Sequence, residues 1–370
     1  MIFVALFLAV GALGGLYLFF LAKRILSFFG VEKKSVLYSC SAVAAVLLLV
    51  AAFTDIFGVG MSSVLMLILC GAVTDFVYLV AERAVKHFKK DFKRLKLYAS
   101  GLLTLVVTAC VLFYGFWNIN HVTATRYELR SEKEVELRVA MIADLHLGNS
   151  IDSSELKEYC GKIQAENPDV FVLVGDLFDE GTSLAEMVKA AEVLGGVETK
   201  YGTYFVYGNH DRGHYRNGRG FGGEEIEAEF EKNGITVLED ECVEIGNEFC
   251  VVGRNDASMG HFGSERKELS TLLSEVNRER FVLLLDHQPK DLKTAAELGV
   301  DLQLSGHTHA GQIWPLGQFS ELFGINEMNY GLKKDGDFNA VVTSGISGWG
   351  FSVRTAEKSE YVVIDINKNQ

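Results

Sequence analysis

Apolar positions follow two regimes along this chain. Over residues 1–22, 36–53, 59–80 and 97–117 they run almost without interruption, and each run comes close to or exceeds the ~20 residues a helix needs to cross ~30 Å of hydrocarbon. The pattern predicts a four-helix transmembrane segment over residues 1–120. From about His121 onward, apolar residues come in short runs separated by charged stretches. Runs at 135–143, 169–174, 203–207, 281–285 and 302–305 read as strands, with further strands near the C-terminus. Amphipathic stretches opening at Asp152-Ser153-Ser154 and lying near 183–194, 224–232 and 265–277 read as helices. A Gly246-Asn247 pair marks a hairpin. Strands alternating with helices mean an α/β domain, placed at 137–370, with 121–136 as the linker to the membrane segment.

Charge sharpens the division. Of 35 Lys and Arg residues, 11 precede position 121, against five acids, so that part is +6 and the remainder, with 24 bases and 43 acids, is −19. A domain that acidic repels a nucleic-acid backbone and gains nothing from counterion release, which argues against a nucleic-acid partner. The bases also orient the membrane segment. Residues 23–34 carry Lys23, Arg24, Lys33 and Lys34, residues 83–96 carry seven more, and 55–60 carry none. Because Lys and Arg stay on the cytoplasmic side, the N-terminus and the C-terminal domain are expected outside the cytoplasm, on a multi-pass protein of the cell membrane. The first run has no basic stretch before it and no evident cleavage site, so it reads as a retained anchor rather than a signal peptide. Asp75, inside the third run, is a carboxylate where burial is costly. Its closeness to Glu82 and the basic loop favours a paired, structural acid.

The six cysteines add little. Cys40, Cys70 and Cys110 lie in apolar runs, and Cys160, Cys242 and Cys250 are too irregularly spaced for a zinc or disulfide framework. A two-residue turn at Gly246-Asn247 would put Cys242 and Cys250 on opposite faces of the ribbon, so no disulfide is expected.

Chemistry enters at the strand ends. After successive apolar runs the chain reaches Ala143-Asp144-Leu145-His146, Gly175-Asp176-Leu177-Phe178-Asp179, Gly208-Asn209-His210-Asp211, Asp286-His287-Gln288-Pro289 and Gly306-His307-Thr308-His309. Ligand sites of α/β sheets form at the carboxyl ends of strands. Each loop alone is ordinary turn chemistry. Five in succession, holding five of nine histidines, make a mixed His, Asp and Asn set suited to a pair of divalent cations. Asp144 and His146, like His307 and His309, are spaced i and i+2, which in extended backbone sends both side chains the same way. His87, His121, His214 and His261 fall outside the loops and read as surface residues.

These five loops in this order, with the run from Gly306 through His307-Thr308-His309-Ala310-Gly311 to Gln312, resemble the calcineurin-like metallophosphoesterase family, and within it the membrane-tethered bacterial branch. The resemblance covers about 139–366. One departure is that Arg354 is followed by Thr355-Ala356-Glu357-Lys358, where that branch has a Pro-rich stretch. The resemblance implies two mixed β-sheets packed face to face with helices outside, an αββα sandwich. It also implies that Asp144, His146 and His309 hold one metal, that Asn209, His287 and His307 hold a second, and that Asp176 bridges them. The two divalent ions would be Mn, Fe or Zn. His210, oriented by Asp179, would stand over the leaving-group oxygen.

Two cations sharing a water lower its pKa toward neutrality and stabilise charge on phosphoryl oxygens. The expected reaction is therefore hydrolysis of a phosphomonoester, phosphodiester or pyrophosphate bond by a metal-bridging hydroxide, with Asn209 clamping the phosphoryl group and His210 donating a proton. Tethering to a lipid bilayer points to a lipid- or cell-wall-linked phosphate ester. The UDP-diacylglucosamine pyrophosphohydrolases use a similar core, but their chemistry faces the cytoplasm. An alternative of another class is a non-catalytic membrane receptor or adaptor that retains the fold. It predicts loss of the bridging Asp or the proton donor, and both are present.

Overall fold

A computed structural model describes residues 2–56, 58–88, 93, 95–215, 219–263, 265–274 and 276–369. The chain divides into two compact units, Met1–Trp117 with Gly350–Val353, and Asn118–Trp349 with Arg354–Gln370.

The first unit is helical: α1 Ile2–Phe28, α2 Lys34–Thr54, α3 Val59–His87, α4 Lys96–Ala99 and α5 Leu102–Ile119. Four of these, all but the short α4, are long and apolar enough to cross a membrane. The elements overrun the expected spans because polar residues can extend a helix beyond the hydrocarbon. Thus Lys23 and Arg24 lie within α1, and Arg83 and Lys86 within α3. At the other end of the basic loop, Gly101 at φ +82° separates α4 from α5, a left-handed conformation that ends a helix cheaply only at glycine. Lys89, Lys90 and Arg94 of the basic loop lie outside the described residues. Asp75 is ion-paired, with Arg24 Nη1 at 3.0 Å and the Tyr17 hydroxyl donating at 3.4 Å. A paired acid is what a carboxylate in a span requires.

The second unit is built on two six-stranded sheets. Their strands are β1 Thr123–Ser131, β2 Leu137–Ile142, β3 Val170–Val174, β4 Thr203–Val206, β5 Ile235–Val237, β6 Glu241–Ile245, β7 Phe249–Gly253, β8 Phe281–Leu285, β9 Leu302–Ser305, β10 Gly331–Asp335, β11 Phe338–Val342 and β12 Glu360–Lys368. One sheet has the order β1-β12-β2-β3-β4-β5 and the other β10-β11-β9-β8-β7-β6. The period-2 alternation of each strand explains the layering. Val139 and Met141 of β2, Val170, Val172 and Val174 of β3, and Leu283 and Leu285 of β8 form one buried cluster between the sheets. The alternate positions Ala140, Ile142, Phe171 and Leu173 face outward into a cluster with residues of α6 Ser153–Ala165, α7 Leu184–Gly195 and α8 Gly223–Lys232. Val282 and Leu284 pack on α9 Leu269–Leu272 and α10 Leu292–Glu297. The result is the αββα sandwich. Capping boxes at Asp152 with Glu155 and at Ser183 with Glu186 start α6 and α7, where the acidic residue and N-cap reciprocally satisfy free backbone donors. The last helix, α11 Leu316–Leu322, follows β9.

Three local expectations are corrected. Residues 121–136 are not a plain linker, because β1 pairs in parallel with β12 along its whole length, from Thr123 with Glu360 to Ser131 with Lys368. Its polar alternation reflects an edge strand with one buried face. The expected helix over 265–277 shrinks to the four residues of α9. In the β6–β7 hairpin, Ile245 pairs with Phe249 and Glu244 with Cys250, so the loop has three residues rather than two. That shift of register turns Cys250 to the face of Cys242, and both remain free thiols.

Candidate metal centre

The five ligand-type loops follow β2, β3, β4, β8 and β9, which run parallel within their sheets. Their carboxyl ends therefore converge, as the strand-end rule requires. The loops are strained. Asp144, His146, Asp176, His307 and His309 all have positive φ, at 53°, 39°, 52°, 70° and 49°. Asp and His tolerate this region better than most residues but still pay for it, and such strain gathers where function over-determines the backbone. Gly208 is forced by a close approach, since a Cβ there would lie 2.1 Å from Asp176 Oδ1.

The ligating atoms fall into two groups, Asp144 with His146 and His309, and Asp176 with His287 and His307, the atoms of each lying within 4.8 Å of one another. His146 Nε2 is 3.3 Å from His309 Nε2, and His309 Nε2 is 3.5 Å from Asp144 Oδ1. Asp176 Oδ2 stands between the groups, 3.1 Å from His287 Nε2 and 3.9 Å from His146 Nε2. Its other oxygen accepts the His210 backbone N–H at 2.8 Å. The i, i+2 argument fails for His307 and His309, which belong to different groups, because left-handed backbone between them breaks the alternation of extended chain. Asp144 and His146 do share a group, although through two left-handed residues rather than a strand.

A metal fits these residues. Buried polar atoms without a hydrogen-bond partner occur here, among them Asn209 Oδ1 and His287 Nε2. An unsatisfied buried group costs about 1–3 kcal/mol, and coordination offsets that cost. His287 Nδ1 donates to the Val174 carbonyl at 2.8 Å, which turns Nε2 toward Asp176; burial lowers the proton affinity of His287, but the Asp176 charge outweighs it and holds the pKa well above its ordinary value. Burial pushes His146 down to about 3, His307 to about 4 and His309 well below its ordinary value, so these imidazoles are neutral donors of lone pairs. Burial also raises Asp144 to about 7, reinforced by the neighbouring Asp176 charge. Two buried carboxylates so close together call for positive charge between them.

His210 is adjacent but outside both groups. Its Nδ1 is 2.9 Å from Glu180 Oε1, and its ring lies 5.0 Å from that of Tyr215 and 5.2 Å from that of Trp349. Burial lowers its affinity for a proton, but the Glu180 hydrogen bond and the Asp176 charge outweigh burial and raise its pKa. The expected orienting residue, Asp179, is elsewhere. Its Oδ1 accepts the Gly181 N–H at 2.8 Å and its Oδ2 lies 3.8 Å from His146 Nδ1. Both acids reach neighbouring imidazoles, Asp179 toward His146 and Glu180, with the longer arm, toward His210.

Two residues without an assigned role prove to be positioning groups. Asp211, fully buried, accepts from the backbone N–H groups of Asp176, Leu177, Phe178 and Gly208 at 2.7–3.0 Å, tying two ligand loops together. Its position in the Gly208-Asn209-His210-Asp211 run was the available signal. Arg354, also fully buried, donates to the carbonyls of His309, Ser344 and Ser347 at 2.6–3.2 Å. It braces the His309 loop, and the backbone N–H groups of Thr355 and Ala356 after it donate to the Gln312 carbonyl at 2.9 and 3.0 Å.

The chain is similar to several known proteins. The calcineurin-like phosphoesterase family matches over residues 137–311. A transmembrane protein with metallophosphoesterase domain from Danio rerio is 30% identical over 309 residues, 77% of this chain and 68% of that protein. An uncharacterized metallophosphoesterase of Campylobacter jejuni is 28% identical over 299 residues, 79% of this chain and 76% of that one. A solved dimetal phosphatase from Danio rerio aligns with 56% of this chain and 86% of its own at 10% identity and a TM-score of 0.37.

Proposed function

This chain belongs to the calcineurin-like metallophosphoesterase family, a metal-dependent hydrolase of phosphoric ester bonds, and from that premise we propose that it is a membrane-anchored two-metal phosphoesterase. The observation that carries the reading is Asp176 Oδ2 set between two groups of mostly buried histidines and carboxylates. Asp144, His146 and His309 would hold one divalent cation, and His287, His307 and Asn209 the other, with Asp176 within reach of both groups. Two such cations supply an activated water and neutralise charge developing on phosphoryl oxygens.

The rest is done by the chain's own side chains. Glu180 holds His210 Nδ1, leaving Nε2 as the donor that protonates the departing oxygen. Tyr215 and Trp349 flank that ring. The Asn209 carboxamide, its Oδ1 without a hydrogen-bond partner and its Nδ2 donating to the Tyr215 hydroxyl at 3.5 Å, would offer that amide to a phosphoryl oxygen. Purified full-length protein is expected to hydrolyse nitrophenyl phosphate or bis-nitrophenyl phosphate with Mn²⁺, to stop with EDTA and to recover when Mn²⁺ is restored. Chelator-resistant hydrolysis would defeat the reading.

The orientation follows from the bases at the cytoplasmic ends of the spans: the catalytic domain lies outside the cytoplasm. Protease added to intact cells is expected to remove a C-terminal tag. A tag that survives until the membrane is permeabilised reverses the orientation.

A further inference from the structure

Among the described residues of the second unit, the exposed large apolar side chains are Leu184, Tyr215, Trp349 and six from one segment: Trp314, Leu316, Phe319, Leu322, Phe323 and Ile325. Leu322 is 73% exposed and Phe323 and Ile325 are each 72% exposed. Apolar surface left in water costs ~25 cal/mol per Å², and a folded domain rarely leaves a contiguous patch of it without a use.

The segment is firmly attached to the metal centre. A Cβ on Gly317 in α11 would lie 2.7 Å from the Ala310 carbonyl oxygen, and one on Gly311 would lie 2.2 Å from Gly317 N, so α11 sits backbone to backbone on the loop that carries His309. The Thr308 hydroxyl donates to the Asn329 carbonyl at 2.6 Å, and Asn329 N–H donates to the Glu321 carboxylate at 2.7 Å. Ile313 and Met328 are buried on the inner side. A cavity of about 270 Å³ is lined by Gln288, Lys290, Asp291, His307, Ile325 and Glu327. It thus touches a histidine of the metal centre and the end of the exposed apolar segment, with one base and two acids in its lining.

The same chain carries four helices able to cross a membrane, which keeps a bilayer at high effective concentration. Trp with Phe, Leu and Ile is the composition that settles at a membrane interface. Residues 314–325 contain no Lys or Arg, so apolar insertion rather than attraction to anionic lipid would drive the contact. We propose that residues 314–325 insert into the bilayer interface, and that the phosphate ester cleaved is a lipid headgroup entering through the cleft at His307. The substrate half rests on the phosphoesterase reading; the insertion half does not. In the reaction, water oxygen bonds to phosphorus, the bond from phosphorus to the leaving oxygen breaks, and that oxygen takes a proton, with no redox partner.

The test uses full-length protein in phosphatidylcholine nanodiscs. With Trp117→Phe and Trp349→Phe, Trp314 is the remaining tryptophan, and brominated phosphatidylcholine is expected to lower its emission about twofold or more, as for an indole at interfacial depth. Unchanged emission overturns the insertion. In the otherwise native protein with Mn²⁺, Leu322→Ser combined with Phe323→Ser is expected to slow cleavage of a vesicle-borne lipid nitrophenyl phosphodiester about tenfold and to leave soluble bis-nitrophenyl phosphate unaffected. Equal losses on both esters, or no loss on either, overturn lipid delivery. Quenching in a protein that cleaves neither ester rejects the phosphoesterase reading and keeps the insertion. Cleavage of both esters without quenching does the reverse.

Discussion

Asp176→Asn is expected to lower both metal occupancy and activity, the latter by about a thousandfold, the scale of the several kcal/mol that metal ions contribute to the transition state. The effect should fall on chemistry rather than folding. Asp176 Oδ1 accepts the His210 N–H, and an asparagine oxygen can keep that bond. What the substitution removes is the charge on Oδ2, the atom within reach of His287 and His146 together. A carboxylate shared by two dications offsets repulsion between them, so a neutral amide weakens both sites at once. Metal analysis of the purified variant decides the point, with a thermal melt in EDTA to confirm that the fold persists. Retention of two metals at native affinity would reject the shared role.

The candidate ligand loops were legible because their signal is local: each sits within four or five residues of a strand end, and residue type alone marks Asp144, His287 or His309 as candidate donors, which the fold brings into two groups. The strand alternation was legible for the same reason, since Val139 and Met141 declare one face and Ala140 and Ile142 the other. What escaped depends on pairing at a distance. β1 reads as a linker because its burial comes from β12, more than 230 residues away in the chain. Glu180, not Asp179, meets His210, and only the turn between β3 and α7 decides which acid reaches which imidazole. The left-handed backbone at five ligand residues is equally silent in a sequence of ordinary Asp and His. The exposure of the apolar segment after His309 is a property of the folded surface that local sequence does not carry.

His210→Ala is expected to keep both metals and lose catalysis selectively, and the structure gives the reasons. Its contribution to Asp176 is a backbone N–H, which alanine retains, and its imidazole lies in neither ligand group. The side chain's own partner is Glu180 at Nδ1, an arrangement that stabilises the protonated ring and leaves Nε2 for the leaving oxygen. A general acid is worth about 10²–10⁴ in rate where the departing alkoxide is basic, and far less where it leaves unaided, as nitrophenolate does. The variant should therefore remain comparatively active on bis-nitrophenyl phosphate and be nearly inactive on an alkyl phosphodiester. Glu180→Gln should show the same leaving-group pattern in milder form, because the amide still meets Nδ1 but no longer supplies its charge, whereas Asp179→Asn should not. A uniform loss on both ester types, or loss of metal from His210→Ala, would assign the imidazole to holding the loop. A leaving-group effect in Asp179→Asn that matches or exceeds that of Glu180→Gln would restore Asp179 as its partner.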